Sequence, residues 1–142
     1  MITGIAHACF TAADLDATVD FYCGKLGLAE AFPFLREDGR RFGVYLHVGG
    51  RTFLEFFEGQ IADRADGPKA LSSVDGQPYR HLCFEVDDIE TTAAALRAKG
   101  VEVTDVKMGG DHSWQAWLAD PDGNRIELHQ YTPESKQTPS LK

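Results

Sequence analysis

Apolar and polar positions alternate with a period of two over residues 4–11 and again over 80–86, and both stretches are rich in β-favouring side chains. This is the pattern of strands with one face buried. Asp14 and Asp88 (or its neighbour Asp87) follow at the place of a helix N-cap. Helical periodicity then takes over. Leu15, Val19, Cys23 and Leu26 predict a helix over 15–26, and Ile89, Ala93 and Leu96 predict one over 89–99. Gly27 and Gly100 are natural stops just past their ends. Three further strands are predicted in each half, over 29–35, 42–48 and 52–57, then over 101–108, 114–119 and 125–131. Glu37-Asp38-Gly39, Gly49-Gly50, Gly109-Gly110 and Asp120-Pro121-Asp122-Gly123 are the turns between them. The grammar is βαβββ, written twice, and the class is α+β.

The halves also match residue by residue. His7, Cys9 and Phe10 recur as His81, Cys83 and Phe84 at an offset of 74, and Asp14-Leu15 recurs as Asp88-Ile89. Gly50-Arg51-Thr52-Phe53-Leu54-Glu55 resembles Gly123-Asn124-Arg125-Ile126-Glu127, with the glutamates at an offset of 72. Ordered matches across both halves predict two copies of one supersecondary module. The first covers about 2–58, a linker rich in Gly, Asp, Ser and Pro covers about 59–79, and the second module covers about 80–131. Together they make one domain over 1–131. The polar tail over 132–142 is expected to be disordered.

Composition narrows the function classes. The chain has 142 residues, 43% of them hydrophobic, within the globular range and large enough to bury a core without disulfides or a structural metal. Its 14 Lys and Arg face 22 Asp and Glu, a net charge of −8, which speaks against nucleic acid as a partner. No apolar run approaches the roughly 20 residues of a membrane span, and no signal-peptide pattern opens the chain. Cys9, Cys23 and Cys83 are odd in number and form no CxxC pair, which fits the reduced thiols of a cytoplasmic protein.

Strand parity shows where chemistry sits. Residues i and i+2 share a face of a strand. His7 and Cys9 therefore oppose Ala6, Ala8 and Phe10, and Phe53, Glu55 and Phe57 oppose Leu54 and Phe56. In the second module His81, Cys83 and Glu85 oppose Leu82, Phe84 and Val86, while Arg125, Glu127 and His129 oppose Ile126 and Leu128. Each strand has one apolar face for a helix, and each opposite face carries a His or a Glu at the repeat-equivalent place. His7, Glu55, His81 and Glu127 form the resulting candidate metal set. Two neutral imidazoles and two carboxylates leave a divalent first-row ion formally neutral. Arg125, His129, Phe53, Phe57, Cys9, Cys83 and Trp117 are the candidate substrate contacts around it. Cys9 and Cys83 read as small buried thiols of the cavity wall, His129 as an outer support or a rim residue, and His47 and His112 as exposed. Trp114 and Trp117, three apart on one strand, cannot both face the site.

The chain resembles the vicinal-oxygen-chelate superfamily, also called the glyoxalase/bleomycin-resistance/dioxygenase fold, from Ile2 to about Tyr131. The matching stretches are residues 7–11 with Asp20-Phe21-Tyr22, Phe53-Leu54-Glu55, residues 81–88, and Asp120-Pro121-Asp122-Gly123-Asn124-Arg125-Ile126-Glu127. The last is the most specific. The resemblance implies a U-shaped, open eight-stranded sheet around one divalent metal, with Ni, Zn, Mn, Co and Fe all compatible. Bacterial glyoxalase I uses His, Glu, His, Glu at these four places, whereas methylmalonyl-CoA epimerases usually carry Gln at the second, so Glu55 points to the glyoxalase I-like branch. The implied chemistry is a lyase or isomerase reaction of a small substrate with vicinal oxygens, proton transfer passing through a metal-bound enediolate. Glu127 would be the base and Glu55 its symmetric partner. An Fe(II) extradiol-type dioxygenase, an epimerase and a non-catalytic antibiotic or small-molecule binder are the alternatives. The sequence departs from glyoxalase I at the two positions that hold the glutamyl end of glutathione: Thr11 stands where an Arg is usual, and Gly59 where an Asn is usual. Arg36, Arg40, Arg125 and Lys107 are the candidate replacements. The resemblance further implies a homodimer.

Overall fold

Asp14 and Asp88 each cap a helix as their positions require. The Asp14 carboxylate accepts from the backbone N–H of Ala17 (3.0 Å) and that of Asp88 from Thr91 (2.9 Å). The helices end where glycine follows: Gly27 has φ 83° and Gly100 φ 78°, the left-handed backbone that costs glycine nothing. A computed structural model describes residues 3–59 and 80–140. The chain divides into two units, Met1–Gly76 and Gln77–Lys142, and each carries one βαβββ module. Apart from Gly59, the predicted linker lies outside the described residues.

In the first unit the order is β1 (His7–Ala12), α1 (Leu15–Val19) running into a wider π-helical turn over Asp20–Lys25, β2 (Ala29–Leu35), β3 (Arg41–Gly49) and β4 (Thr52–Glu58). In the second it is β5 (Leu82–Glu85), α2 (Ile89–Ala98), β6 (Lys107–Met108), β7 (Trp114–Ala119) and β8 (Arg125–Gln130). Each unit builds its own four-stranded mixed sheet, in the orders β1-β4-β3-β2 and β5-β8-β7-β6. The first strand of each module lies parallel to the last, and the others are antiparallel. A parallel neighbour needs a crossover, which the helix supplies.

The apolar faces predicted by parity are buried on β4 and β8 and at Phe10 of β1, whereas Leu82 and Phe84 of β5 and Val86 just past it are only half-buried. Phe10, Ala12, Val44, Leu46, Leu54 and Phe56 form the helix-side core of the first unit, and Ala116, Leu118, Ile126 and Leu128 that of the second. Ile89, Ala93 and Leu96 cover the second sheet as expected. The first helix differs. Leu15, Thr18, Phe21 and Tyr22 are its buried residues, while Val19, Cys23 and Leu26 are only half-buried. The N–H of Leu26 donates to Phe21 five residues back (3.0 Å). One extra residue in that turn rotates the face and buries two adjacent aromatics, with Tyr22 resting on Phe56 at 4.9 Å.

Two further expectations are corrected. Only Lys107–Met108 of the strand predicted over 101–108 joins the sheet. Upstream, Thr104 takes the place of a ladder: its N–H donates to the Trp117 carbonyl and its hydroxyl accepts from the Trp117 N–H, both at 2.9 Å. Over 132–140 the tail is ordered rather than disordered. Ser135 is buried, its hydroxyl pairs with that of Ser113 (2.7 Å), and the Lys136 N–H donates to the Asp111 carbonyl (2.9 Å). A hydroxyl-rich stretch supplies the partners that a polar segment needs in order to pack.

Candidate metal centre

The motif at 120–127 is a turn that aims a strand. Asp120 Oδ1 accepts from the N–H groups of Asp122 (3.0 Å) and Asn124 (2.8 Å), and Oδ2 from the Asn124 side-chain amide (2.8 Å). Gly123 takes φ 79°, and β8 leaves this turn at Arg125, which places Glu127 on the face away from the helix. In register, Trp117 and Cys83 flank Glu127 on the neighbouring strands. Tyr45 and Cys9 flank Glu55 in the same way.

Each unit brings together one of the predicted His–Glu pairs. His7 Nε2 stands 3.6 Å from Glu55 Oε2, and His81 Nε2 stands 3.0 Å from Glu127 Oε2. Two ligands about 2.1 Å from one ion and roughly at right angles or tetrahedral to each other lie about 3.0–3.4 Å apart, so the His81–Glu127 pair already has the bite of a divalent ion and the His7–Glu55 pair stands slightly wider. The donor set fits too, since imidazole and carboxylate together suit first-row divalent metals. The carboxylates are the sheltered members. Glu55 and Glu127 are 13% and 8% exposed, against 42% and 34% for His7 and His81, which leaves the imidazole edges open to a ligand or substrate.

Several neighbours were not read from sequence, or were read differently. Tyr45 was missed: its hydroxyl lies 3.3 Å from His7 Nδ1, and desolvation with the adjacent Glu55 carboxylate raises its phenol above the usual range. Parity along β3, applied as it was to β4, would have found it. His129 is not a rim residue. Its ring is 8% exposed, with Nδ1 3.3 Å from Glu127 Oε1 and Tyr131 packed edge-on at 4.7 Å. Cys9 and Cys83 are exposed rather than buried. Cys83 is nevertheless pushed up to about 12, first by desolvation and then by the charge of Glu127 beside it. His112 is exposed as expected, and His47 is half-buried.

Trp117 shares the site face: its ring meets His81 edge-on at 4.9 Å, and the Arg125 guanidinium lies 3.9 Å over it. Trp114, on the opposite parity, is exposed. Phe53 packs on Tyr45 and His47, and Phe57 on Phe34 and Phe42. Phe32 stacks on Tyr45 at 4.8 Å, so the first sheet presents an aromatic floor beside His7 and Glu55. Arg36 and Arg40 both turn to Glu58, at 3.6 and 3.0 Å, and Lys107 is exposed on β6.

Among the described residues no helix is long and apolar enough to cross a membrane. The chain is 27% identical to the Escherichia coli protein YaeR over 128 residues, spanning 89% of this chain and 95% of that one. It is 28% identical to a probable lactoylglutathione lyase of Vibrio cholerae over 130 residues, covering 89% of each. The fold is similar to the crystal structure of TnmS3, an antibiotic-binding protein from Streptomyces sp. CB03234, with a TM-score of 0.70 and 25% identity across 92% of this chain and 98% of that one. The family pattern of the Glyoxalase/Bleomycin resistance protein/Dioxygenase superfamily matches residues 4–128, and with the twice-built βαβββ module the chain belongs to that superfamily.

Proposed function

We propose that the two modules make one domain over 1–131 in which His7, Glu55, His81 and Glu127 hold a single divalent ion, and that the protein is a glyoxalase I-like lyase or isomerase. The observation that carries this reading is the repetition: the same His–carboxylate pair stands at the same place in both units, at ligand spacing in the second and slightly wider in the first. When bound, the ion would act as a Lewis acid toward charge developing on two neighbouring substrate oxygens. The chain's own part is proton movement. Glu127, the more sheltered carboxylate, takes a proton from one substrate carbon and returns it to the next, as general base and then acid. Arg125 and Trp117 wall the site beside His81, and Tyr45 orients His7 through its Nδ1. The reading carries with it a small-molecule substrate, a cytoplasmic location and, through the family resemblance, a homodimer.

The test uses Mn²⁺, a hard ion suited to oxygen and imidazole donors. Titration followed by electron paramagnetic resonance should show one site per chain, lost in both His7→Ala and His81→Ala. Unchanged Mn²⁺ stoichiometry in both variants overturns the site. A second reading, a non-catalytic small-molecule binder, is favoured by the aromatic floor of Phe32, Tyr45, Phe53 and Phe57 and by the similarity to TnmS3. Wild-type protein that binds no Mn²⁺ would favour it.

A further inference from the structure

His129 stands between two carboxylates. Its Nδ1 lies 3.3 Å from Glu127 Oε1, and its Nε2 lies 3.9 Å from Asp111 Oδ2. The second distance is too long for a hydrogen bond, and Nε2 is buried with no hydrogen-bond partner among the described residues. A neutral imidazole has one N–H and one lone pair. With the proton on Nδ1, a buried lone pair at Nε2 points toward Asp111. With the proton on Nε2, the lone pair of Nδ1 faces Glu127. A second proton on the ring removes the conflict, and so does a cation on the Nδ1 side, because both Nδ1 and Glu127 then become its ligands and Nε2 keeps its proton toward Asp111. That is the carboxylate–histidine–metal arrangement by which ligating imidazoles are usually oriented.

The outer carboxylate is built for the task. Asp111 Oδ2 accepts from the Gln137 amide at 2.6 Å, and Oδ1 from the Ser113 N–H at 3.3 Å and the Gln115 amide at 3.4 Å. These bonds, that of Gln137 first, hold its carboxyl below the usual range. The ordered tail therefore fixes Asp111 in front of His129. A third donor completes the set. Cys83 Sγ, a Glu127 oxygen and a His129 ring nitrogen all lie within 4.8 Å of one another, and Cys83 is exposed, which gives an ion a way in.

We propose that Cys83, Glu127 and His129 form a second cation site, for a borderline ion that accepts sulfur, such as Zn²⁺ or Co²⁺, with Asp111 as the outer partner of His129. Thiolate, imidazole and carboxylate are the donor types of such ions. Binding exchanges the thiol proton for the ion: the S–H bond breaks, a sulfur–metal bond forms, the proton leaves to solvent, and nothing is oxidised or reduced. The carboxylates of Glu127, within the cluster, and of Asp111, behind His129, bring negative charge that attracts a dication. The site needs only residues of the second unit. Its sharing of Glu127 with the His7, Glu55 and His81 set rests on the function proposed above; an ion here engages Oε1 and so takes that carboxylate out of service as a base while it is bound.

The test is Co²⁺ titration of the full chain after metal removal, read by absorbance. A thiolate ligand gives a near-ultraviolet sulfur-to-cobalt charge-transfer band, whereas an all-oxygen-and-nitrogen site gives only the weaker visible bands. We expect the near-ultraviolet band in wild type, its loss in Cys83→Ser, and its retention in Cys9→Ser and in His7→Ala. Asp111→Asn should weaken the affinity read from this band by about 10–100-fold, as for other outer partners. Circular dichroism confirms that each variant is folded. Absence of the band in wild type, or its survival in Cys83→Ser, overturns the second site. Neither outcome bears on Mn²⁺ binding, so failure here and failure of the His7, Glu55, His81 and Glu127 set are separately visible.

Discussion

Replacing Asp120 with alanine should unfasten the β7–β8 hairpin, the element that carries Trp117 and Glu127 into the site. Asp120 is 5% exposed, and its carboxylate takes three hydrogen bonds of 2.8–3.0 Å from Asp122 N–H, Asn124 N–H and the Asn124 amide. Hydrogen bonds to a charged group contribute about 1.5–3 kcal/mol each, and they are not additive in one turn. Asp122 and Asn124 keep some solvent access, so water recovers part of the loss. The expected cost is about 2–4 kcal/mol. With a urea slope of about 2 kcal/mol/M, the midpoint falls by roughly 1–2 M. Fluorescence is the natural probe, because both tryptophans of the chain, Trp114 and Trp117, lie on β7 and report the second unit directly. Asp120→Asn keeps an acceptor at one position and should lose about half as much. A midpoint for Asp120→Ala within about 0.3 M of wild type, at an unchanged slope, would refute the reasoning and make the turn a product of backbone preference alone.

Three further outcomes are expected. The Asp88 carboxyl is held below its usual range, chiefly by the Thr91 N–H it caps, so its contribution to stability is present above the unfolded carboxylate range and fades as pH falls through the lower folded value; the stability gap between wild type and Asp88→Ala should therefore be full at pH 7 and close in acid, and a pH-independent gap in urea melts would contradict it. A Cβ at Gly43 would stand 2.6 Å from the Phe57 ring and 3.0 Å from the Phe56 carbonyl, so Gly43→Ala should cost about 1–3 kcal/mol by overpacking, measured as a fall in melting temperature. The hemithioacetal of methylglyoxal and glutathione should be a poor substrate of Mn²⁺- or Ni²⁺-loaded protein, because Thr11 and Gly59 offer no cation or amide to its anionic end and Arg36 and Arg40 are engaged by Glu58; a kcat/KM near the roughly 10⁶–10⁸ M⁻¹s⁻¹ of efficient enzymes would show that another group, such as Arg125, anchors it.

Local rules made the fold readable wherever one residue type had one physical task. Asp14 and Asp88 cap, Gly27 and Gly100 terminate, and strict alternation on β1, β4 and β8 separated the core from the chemistry. What escaped depends on partners distant in sequence or on a change of period. The turn at Asp20–Lys25 gains a residue because burying Phe21 and Tyr22 together outweighs regular spacing, and no helical wheel shows this. The tail reads as disordered by composition, yet Ser135 and Gln137 find Ser113 and Asp111 more than twenty residues away. His129 has the parity of a site residue, but its burial follows from Tyr131 and Asp111 closing over it. Thr104 satisfies the backbone of Trp117 with a hydroxyl, so a segment that alternates like a strand contributes only its last two residues to the sheet.

The place where the two modules stop matching bears on which carboxylate would act as the base in the proposed reaction. Up to that point they correspond closely: a cysteine and a large aromatic flank each glutamate, Cys9 and Tyr45 around Glu55, Cys83 and Trp117 around Glu127. Two residues beyond the glutamate the modules diverge. The first has Phe57, whose ring packs against Gly43, and the second has His129, which contacts Glu127 Oε1 while His81 contacts Oε2. Glu127 is thus gripped at both oxygens. At Glu55 a more open histidine stands 3.6 Å from one oxygen and the Tyr45 hydroxyl also donates to the carboxylate, while the position behind it is filled by a hydrocarbon ring in place of an imidazole. A base that must meet a carbon-bound proton gains most from a fixed approach, so the asymmetry between Phe57 and His129 favours Glu127 on grounds independent of any relative. The same asymmetry confines the thiol–imidazole–carboxylate cluster to the second module, since Cys9 and Glu55 have no imidazole at the matching place. A histidine in one module where the other has Phe57 would thereby separate two proposed roles that the repeat alone makes equivalent.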